Sequence, residues 1–158
     1  MQEAASTRNK IFANNKEGLY NYEVVERFEA GIVLKGAEVK SVKGGRVSIK
    51  GSYIRIDANG EAWIINCNIA AYGPAKGNLQ NYIPDKPRKL LLHKKELTSL
   101  IGKNKQKGLT IIPTCVYTKK GLIKVEIALA RGKTMIDKRE QIKKREAERQ
   151  IKRTLKQK

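Results

Sequence analysis

The chain has little of what most enzyme sites are built from. Of its 158 residues one is a histidine, His93, and two are cysteines, Cys67 and Cys115. A Ser–His or Cys–His pair would have to use His93, which stands at a predicted helix start, where we expect a structural or surface role. No group of His, Cys and acidic residues has metal-ligand spacing, and no glycine-rich phosphate loop follows a predicted strand. The sequence therefore predicts a protein that is not an enzyme and has no cofactor or metal.

Long apolar runs are also absent. No segment approaches the roughly 20 apolar residues that a membrane-spanning helix needs, and residues 1 to 16 contain no apolar stretch of signal-peptide length. The two cysteines are far apart in the sequence. One disulfide is compatible with this spacing, but two buried thiols in a reducing compartment are the favoured interpretation. We expect a cytoplasmic protein.

Acidic residues are scarce relative to basic ones. The chain has 34 Lys and Arg against 15 Asp and Glu, a net charge of +19. Such an excess favours a polyanionic partner, because binding to phosphates releases counterions and long-range attraction speeds association. We interpret the charge as a sign of nucleic-acid binding. A membrane-surface binder and a very basic soluble protein are the alternatives.

Apolar residues alternate with polar ones in several segments, which predicts antiparallel strands. One strand starts near Tyr20 and bends or bulges at Gly31, one hairpin turns at Asn59-Gly60, and another turns at residues 119–121. Short helices are predicted before Gly44-Gly45 and from His93, with Glu96 reaching back to a backbone N–H, to Gly102. Residues 73–88 read as a long loop. Such strands with one or two packed helices suggest a small closed barrel.

Aromatic and acidic side chains supply candidate RNA contacts. Most of the aromatic residues are expected in the core, and one or two, with Tyr22 favoured, are expected to stack on unpaired bases. Glu29 and Glu38 are interpreted as salt-bridge partners or as acceptors for a base or ribose hydroxyl. The aromatic residues interleaved with Lys and Arg are Tyr20, Tyr22, Tyr53, Trp63, Tyr72 and Tyr82.

The C-terminal segment, residues 132–158, is a predicted basic tail. It carries 11 Lys and Arg against 4 Asp and Glu, with few apolar residues to bury. Glu140/Lys144 and Glu148/Lys152 have the spacing that supports a helix, but an isolated helix of this length is marginal in water. We predict a tail that is disordered when free and helical in an anionic channel. The other predicted parts are a flexible N-terminal arm, residues 1–18, and a barrel domain, residues 19–131.

Several stretches, taken together and in order, resemble the SmpB family of SsrA-binding proteins from about Asn14 to Arg139. They are "FEAGIVLKGAEVKSVKGG", "GSYIRI", "RKLLLHKKEL", "KGLTIIPTCVYTKKGLIKVEIALARGK" and "DKRE". The resemblance implies a mainly β fold, an oligonucleotide-binding-like antiparallel β-barrel with two or three short packed helices. It further implies an adaptor that binds the tRNA-like domain of transfer-messenger RNA and delivers it to stalled ribosomes for trans-translation.

The resemblance also implies partners. These are transfer-messenger RNA, the small-subunit rRNA at the decoding region and mRNA channel, and elongation factor Tu as part of the delivered complex, with no membrane. The tail would probe the decoding region and the empty mRNA channel. The alternative function is a general basic nucleic-acid-binding or ribosome-associated protein without a dedicated RNA. A nuclease or RNA-modifying enzyme is disfavoured, because no catalytic group of residues is found.

Some site residues follow from the same resemblance: Tyr22, Glu29, Leu91 and Gly132-Lys133 match RNA-contacting positions, and Asp137-Lys138-Arg139 matches the start of the tail. The family often has Asn where this chain has His93, and a stacking His where this chain has Ile136. The predicted RNA-binding residues are Tyr22, Glu29, Lys35, Lys40, Arg88, Lys89, Leu91, His93, Gly132 and Lys133. The predicted ribosome-binding residues of the tail are Asp137, Lys138, Arg139, Lys143, Lys144, Arg145, Arg149, Lys152 and Arg153.

Overall fold

The structure, a computed structural model, describes residues 10–73 and 81–156, without the side chains of residues 135 and 136. The strands are β1 Lys10–Asn14, β2 Tyr22–Ile32, β3 Val47–Ser48, β4 Tyr53–Ile56, β5 Ala62–Ile65, β6 Asn68–Ile69, β7 Arg88–Leu91, β8 Leu109–Lys119 and β9 Leu122–Gly132. The helices are α1 Lys16–Asn21, α2 Gly36–Lys43, α3 Lys94–Asn104 and α4 Met135–Lys156.

Seven strands form one antiparallel sheet in the order β1-β8-β9-β2-β7-β5-β4. The sheet curls so that its last strand, β4, lies beside β8, although the two are not hydrogen-bonded neighbours. Strands β3 and β6 form a separate two-stranded ladder. The predicted mainly β class, with an antiparallel barrel-like sheet and short packed helices, is confirmed.

The core lies inside the curled sheet and follows the period-two pattern of the strands. Alternate residues of β2 and β9 point inward and are buried, among them Phe28, Ala30, Ile127 and Leu129. Helix α2 adds Val42 and helix α3 adds Leu100, both within 1% of full burial. Removing each large apolar side chain from water stabilises the fold by about 1.5–3 kcal/mol. The helices therefore close the open parts of the barrel.

The hairpin between β8 and β9 forms as predicted. Lys120 and Gly121 make the turn with φ of 52° and 77°. Two consecutive positive φ values suit the right-handed twist of the flanking strands. The hairpin joins two eleven-residue strands and is the longest ladder of the described sheet.

The β4–β5 turn differs from the predicted two-residue Asn59-Gly60 turn. In this turn only Gly60 has a positive φ, 78°, and the connection spans Asp57 to Glu61. The Asp57 carboxylate explains the difference: its Oδ1 accepts from the backbone N–H groups of Asn59 and Glu61, both at 2.9 Å, and its Oδ2 accepts from Trp63 Nε1 at 2.8 Å. A side chain at the strand end thus sets a longer turn than the Asn-Gly pair alone indicates.

The position of the irregularity in β2 and the end of α3 also differ from the predictions. Strand β2 has its irregularity between Val24 and Glu26 rather than at Gly31, which is paired with both Lys124 and Leu91 and keeps the strand continuous. Helix α3 begins after His93, whose N–H donates to Glu96 Oε1 at 3.2 Å, but it continues past Gly102 to Asn104. Gly31 stays in the ladder because strands on both sides pair with it. The sequence pattern of one strand does not show which strands are its neighbours.

Residues 10–18 are structured where the sequence predicts a flexible arm. Strand β1 pairs with the edge of β8. Asn15 then begins α1: its Oδ1 accepts from Gly18 N at 3.0 Å and its Nδ2 donates to the Pro113 carbonyl at 2.8 Å. The contact with Pro113, distant in sequence, stabilises a segment with few apolar residues of its own. The first nine residues of the predicted arm lie outside the described residues.

The C-terminal segment is helical, the conformation that the sequence predicts for the tail on ribosome binding. Helix α4 is continuous over 22 residues, and the disorder expected in the free protein stays a prediction. Its described side chains are exposed or half-buried, in line with the few apolar residues. A helix of this length spans about 33 Å, so it extends well beyond the barrel.

Candidate RNA-binding surface

Glu29 lies on the outer face of β2, at the centre of a small polar cluster. Its carboxylate accepts hydrogen bonds from Tyr117 Oη and from Lys119 Nζ, the latter at 3.3 Å. Partial burial opposes ionisation, but these hydrogen bonds and the charges of Lys119 and Lys124 outweigh it, so the pKa of Glu29 lies below its usual value. Glu29 is therefore a charged acceptor at neutral pH with lysines beside it.

Leu91 lies next to this cluster. It pairs with Gly31, two residues along β2 from Glu29, and its side chain is 54% exposed. Leu91, Gly31 and Lys124 help to line a groove of about 240 Å³, together with apolar residues that include Val39 and Leu122. We call Glu29, Leu91, Lys119 and Lys124 the upper cluster. An exposed apolar side chain between cations suits a base or ribose face beside phosphates.

A second group of predicted residues meets at the opposite end of β2. Tyr22 and Gly132 are paired there, and Lys133 N donates to the Asn21 carbonyl at 3.0 Å. Tyr22 is half-buried against Ile112, Ala128 and Ala130. We call Tyr22, Gly132 and Lys133 the lower cluster. Strand β2 thus separates the predicted RNA-binding residues into two groups, one near each end.

Helix α4 starts from the lower cluster. Thr134 and Asp137 form a reciprocal cap: Thr134 N and Oγ1 donate to Asp137 Oδ2 at 3.2 and 2.8 Å, and Asp137 N donates to Thr134 Oγ1 at 3.2 Å. The hydrogen bonds from Thr134 and the charge of Lys133 hold the pKa of Asp137 below its usual value. Asp137, predicted as a ribosome contact, therefore also fixes where the helix begins.

Two side-chain contacts hold the first turns of α4 against the barrel. Lys133 Nζ donates to Gln141 Oε1 at 2.5 Å. The Arg145 guanidinium lies over the Tyr20 ring of α1, 5.2 Å from its centroid. A cation over an aromatic face at an exposed site is worth about 0.5–1 kcal/mol. Arg145 is thus engaged within the chain, whereas the other predicted tail cations after Lys138 are exposed.

Arg88 is the one predicted RNA-binding residue that the structure places in the interior. Its side chain is 1% exposed and donates to Glu38 Oε2 at 2.6 Å, to the Cys67 carbonyl at 2.6 Å and to the Pro84 carbonyl at 2.8 Å. Its guanidinium also donates to Tyr82 Oη at 3.1 Å. A guanidinium with its donors used in this way does not reach an RNA phosphate, and the prediction for Arg88 is corrected to a structural role.

Glu38 is the buried ion-pair partner of Arg88. Burial opposes its ionisation, but hydrogen bonds from Arg88 and Lys35 N and the charges of Arg88 and Lys86 outweigh burial and lower its pKa. Glu38 Oε1 also accepts from Lys35 N at 3.1 Å at the start of α2. This pair joins α2 to β7 and to residues 82–86, so the salt-bridge interpretation of Glu38 is confirmed.

The remaining predicted residues lie at the surface in separate places. Lys35 and Lys40 are exposed at the start and middle of α2, with the Lys40 ammonium 5.4 Å from the centre of the Tyr72 ring. Lys89 pairs with Glu61 at 3.3 Å, and His93 is exposed at the start of α3. The tail residues Arg139, Lys143, Lys144, Arg149, Lys152 and Arg153 are exposed and Lys138 is half-buried. Sequence reasoning missed Lys119 and Lys124, although their alternation in a predicted hairpin places them on its outer face.

Other chemistry finds little support in residues 10–73 and 81–156. No three His, Cys, Asp or Glu residues there are grouped to hold a metal. Within the same residues no helix combines the length and apolar character needed to cross a bilayer. Cys67 and Cys115 are both buried. Burial raises the pKa of Cys67 to about 11, so this thiol is protonated at neutral pH.

Comparison with known proteins extends over nearly the whole chain. The family model described as SmpB protein matches residues 12–157. The SsrA-binding protein of Persephonella marina is 54% identical over 90% of this chain and 91% of its own length. That of Thermosipho africanus is 51% identical over 93% and 97%. That of Carboxydothermus hydrogenoformans is 47% identical over 92% and 96%.

A solved structure agrees with these relatives. A chain from the structure described as "tmRNA-SmpB: a journey to the center of the bacterial ribosome" is 44% identical, with a TM-score of 0.63. The match covers 82% of this chain and 92% of that one. The family model extends over both the barrel and the tail, and the chain belongs to the SmpB family of SsrA-binding proteins.

Proposed function

We propose that the protein is a non-enzymatic RNA-binding adaptor of trans-translation. It binds the tRNA-like domain of transfer-messenger RNA and delivers that RNA to stalled ribosomes. The observation that carries the proposal is the family match over residues 12–157, which includes the barrel and the tail. The name SsrA-binding protein of the relatives and the ribosome complex of the solved neighbour support it.

The site geometry supports a division of labour. The upper and lower clusters supply half-buried lysines, a charged acceptor, an exposed apolar side chain and one tyrosine to the structured RNA. Helix α4 supplies a row of exposed cations on an arm of about 33 Å, long enough to enter the decoding region and the vacant mRNA path. A strongly positive chain favours both RNA partners, because each phosphate contact releases counterions.

Competition binding tests the proposed RNA. At physiological salt the wild-type protein is expected to bind the tRNA-like domain of transfer-messenger RNA at least ten times more tightly than bulk tRNA. Nonspecific phosphate contacts weaken at that salt concentration, so a dedicated RNA stands out from competitors. Equal affinity for the two RNAs would contradict the proposal and favour a general basic nucleic-acid-binding protein.

Delivery adds two further elements to the proposal. Elongation factor Tu accompanies the RNA as part of the delivered complex, and the protein works in the cytoplasm, where ribosomes stall. Co-purification of the factor with the protein should require transfer-messenger RNA and GTP. Factor recovery that is unchanged after RNase treatment would exclude an RNA-bridged complex.

A further inference from the structure

Helix α3 and the loop that follows it carry a set of cations that belong neither to the predicted site residues nor to the two clusters. Lys94 and Lys95 lie in its first turn, Lys105 follows its last residue in helical conformation, and Lys107 is in the next loop. All four are exposed. We call these four lysines the α3 basic face.

The α3 basic face is not neutralised by the protein itself. None of its lysines has a salt bridge or side-chain hydrogen bond within the described residues. The acidic residue of the helix, Glu96, accepts from His93 N, and Lys103 on another side of the helix pairs with Glu26 at 2.5 Å. Four unpaired cations repel each other, and that cost is removed when they face a polyanion.

Helical geometry places Lys94 and Lys105 on the same side of α3. At 100° per residue, Lys94 and Lys105 lie within about 20° of each other around the axis, and Lys95 about 100° from Lys94. Lys94 and Lys105 are about 16 Å apart along the axis. Leu100, about 120° to 140° around the axis from these two lysines, lies in the core, and the half-buried Leu97 packs against it. The face therefore presents two groups of cations, one at each end of a rigid helix.

The position of α3 connects the two predicted RNA-binding clusters. The helix starts three residues after Leu91 of the upper cluster. Near its end Lys103 contacts Glu26 in the middle of β2. The chain then reaches Leu109, which pairs with Arg131, next to Gly132 of the lower cluster. Helix α3 thus runs alongside β2 in the gap that separates the two groups.

We propose that the α3 basic face binds backbone phosphates of the same RNA that the two clusters hold, the tRNA-like domain of transfer-messenger RNA. This inference rests on the proposed function. A structured RNA that contacts both clusters must pass the surface between them, and exposed ammonium groups at both ends of α3 complement phosphates there. The contacts hold the backbone and carry no base specificity.

A double substitution at the end distant from His93 tests the face. Lys105→Gln with Lys107→Gln is expected to weaken binding to the isolated tRNA-like domain about tenfold at about 0.15 M salt. The dependence of log affinity on log salt should become shallower by about 1 to 2, since each lost phosphate contact removes roughly one counterion. The charge-matched control, Lys43→Gln with Arg46→Gln, alters exposed residues outside both clusters and should change affinity less than about twofold.

The outcomes separate this inference from the function on which it rests. Selective wild-type binding with unchanged affinity and salt slope in the α3 double variant would overturn the inference alone. If the α3 double variant lost binding to vacant ribosomes but bound the tRNA-like domain as the wild type does, the inference would also be overturned. The face would then bind ribosomal RNA. Nonselective wild-type binding would reject the proposed function. Circular dichroism and thermal unfolding verify that both double variants fold, and the quadruple Gln variant should lose affinity further than the double.

Discussion

At the residue scale, Arg88 shows that a basic side chain predicted to bind RNA can instead be buried in the interior. Its guanidinium donates hydrogen bonds to the Glu38 carboxylate of α2 and to the backbone carbonyls of Cys67 and Pro84. Its removal leaves a buried charge and carbonyl groups without a donor, which costs more than the pair itself contributes. The residue therefore matters for folding rather than for binding.

We predict that Arg88→Met lowers the free energy of unfolding by about 3–5 kcal/mol, because the buried Glu38 carboxylate loses its 2.6 Å partner and keeps only the longer contact with Lys86, at 3.6 Å. Chemical denaturation at neutral pH measures this loss. The double variant Glu38→Leu with Arg88→Met should recover part of it. The matched surface change, Lys89→Ala, breaks a partly exposed pair with Glu61 and should cost less than about 1 kcal/mol. Equal losses for Arg88→Met and Lys89→Ala would contradict the assigned role.

Glu29 gives a second prediction at this scale. Glu29→Ala should weaken binding to the tRNA-like domain about tenfold, because the variant lacks a charged acceptor and no longer orients Lys119. Binding at a fixed salt concentration checks it. Glu146→Ala removes an exposed carboxylate from α4 and serves as the control, with unchanged affinity expected. If both variants bind like the wild type, Glu29 does not contact or position the RNA.

The same substitution should also reduce stability. From the sequence alone Glu29→Ala is expected to leave stability nearly unchanged, but the Glu29 carboxylate accepts from the phenol of Tyr117, which is 2% exposed. Losing a charged acceptor for a buried hydroxyl costs about 1–3 kcal/mol. Affinity must therefore be measured under conditions in which the variant is fully folded.

At the element scale, the junction between β9 and α4 determines where the tail begins. Gly132 is still in the ladder with Tyr22, and two residues later Thr134 caps the helix. The cap matters more here than in a buried helix, because α4 has few packed side chains that would otherwise hold its first turn. Electrostatics and capping therefore replace apolar packing in this element.

We predict that Thr134→Ala frays the start of α4 by about 1 kcal/mol of local helix stability. Far-ultraviolet circular dichroism and amide exchange of residues 135–141 report the fraying. Thr154→Ala, which removes a hydroxyl bonded to the Gln150 carbonyl at 3.0 Å near the other end, is the control and should leave the first turn protected. Equal protection in the two variants would show that the cap is dispensable.

The cap should also respond to pH. The pKa of Asp137 is lowered from its usual 3.8 in the folded protein. The ionised Asp137 carboxylate therefore stabilises the start of α4 above the usual pKa, and this stabilisation is lost as the pH falls through the lowered pKa of the folded protein. Helix content of the first turn of α4 should stay constant from neutral pH to about 5 and decline below about 4. In Asp137→Asn this decline should disappear from the first turn.

At the scale of the whole molecule, the stability of the barrel depends little on the tail, although α4 follows β9 after only two residues. The barrel has its own buried core, whereas α4 touches it mainly through Lys133–Gln141 and Arg145–Tyr20. Contacts of this kind contribute little to global stability. The tail is therefore free to exchange its contacts with the barrel for contacts with RNA.

We predict that a chain ending at Thr134 folds, with a melting temperature within a few degrees of the full-length value. This shortened chain should keep its affinity for the tRNA-like domain, since both clusters remain. It should not support peptide tagging on stalled ribosomes. Ending the chain at residue 131 instead would remove Gly132 and the bond from Lys133 N to Asn21, which belong to the barrel. Full tagging by the chain ending at Thr134 would refute the role proposed for the tail.

The sequence by itself determined the features that depend on neighbours along the chain. Alternating residues in β8 and β9 and the turn at Lys120-Gly121 predicted the longest hairpin, because strand periodicity and positive-φ turns are local properties. The excess of Lys and Arg indicated a polyanionic partner. The order of the motifs identified the family, and this identification was confirmed over residues 12–157.

Tertiary structure alone decided which charged residues are available to a partner. Arg88 and Glu38 are 50 residues apart, and Tyr117 and Glu29 are 88 apart, so no local pattern reveals that one cation is buried or that one acid is held by a phenol. Pairing with Pro113 likewise orders Asn15 and the predicted arm. Burial and hydrogen bonding depend on what the fold brings together, and for this reason the free lysines of α3 became visible only in the structure.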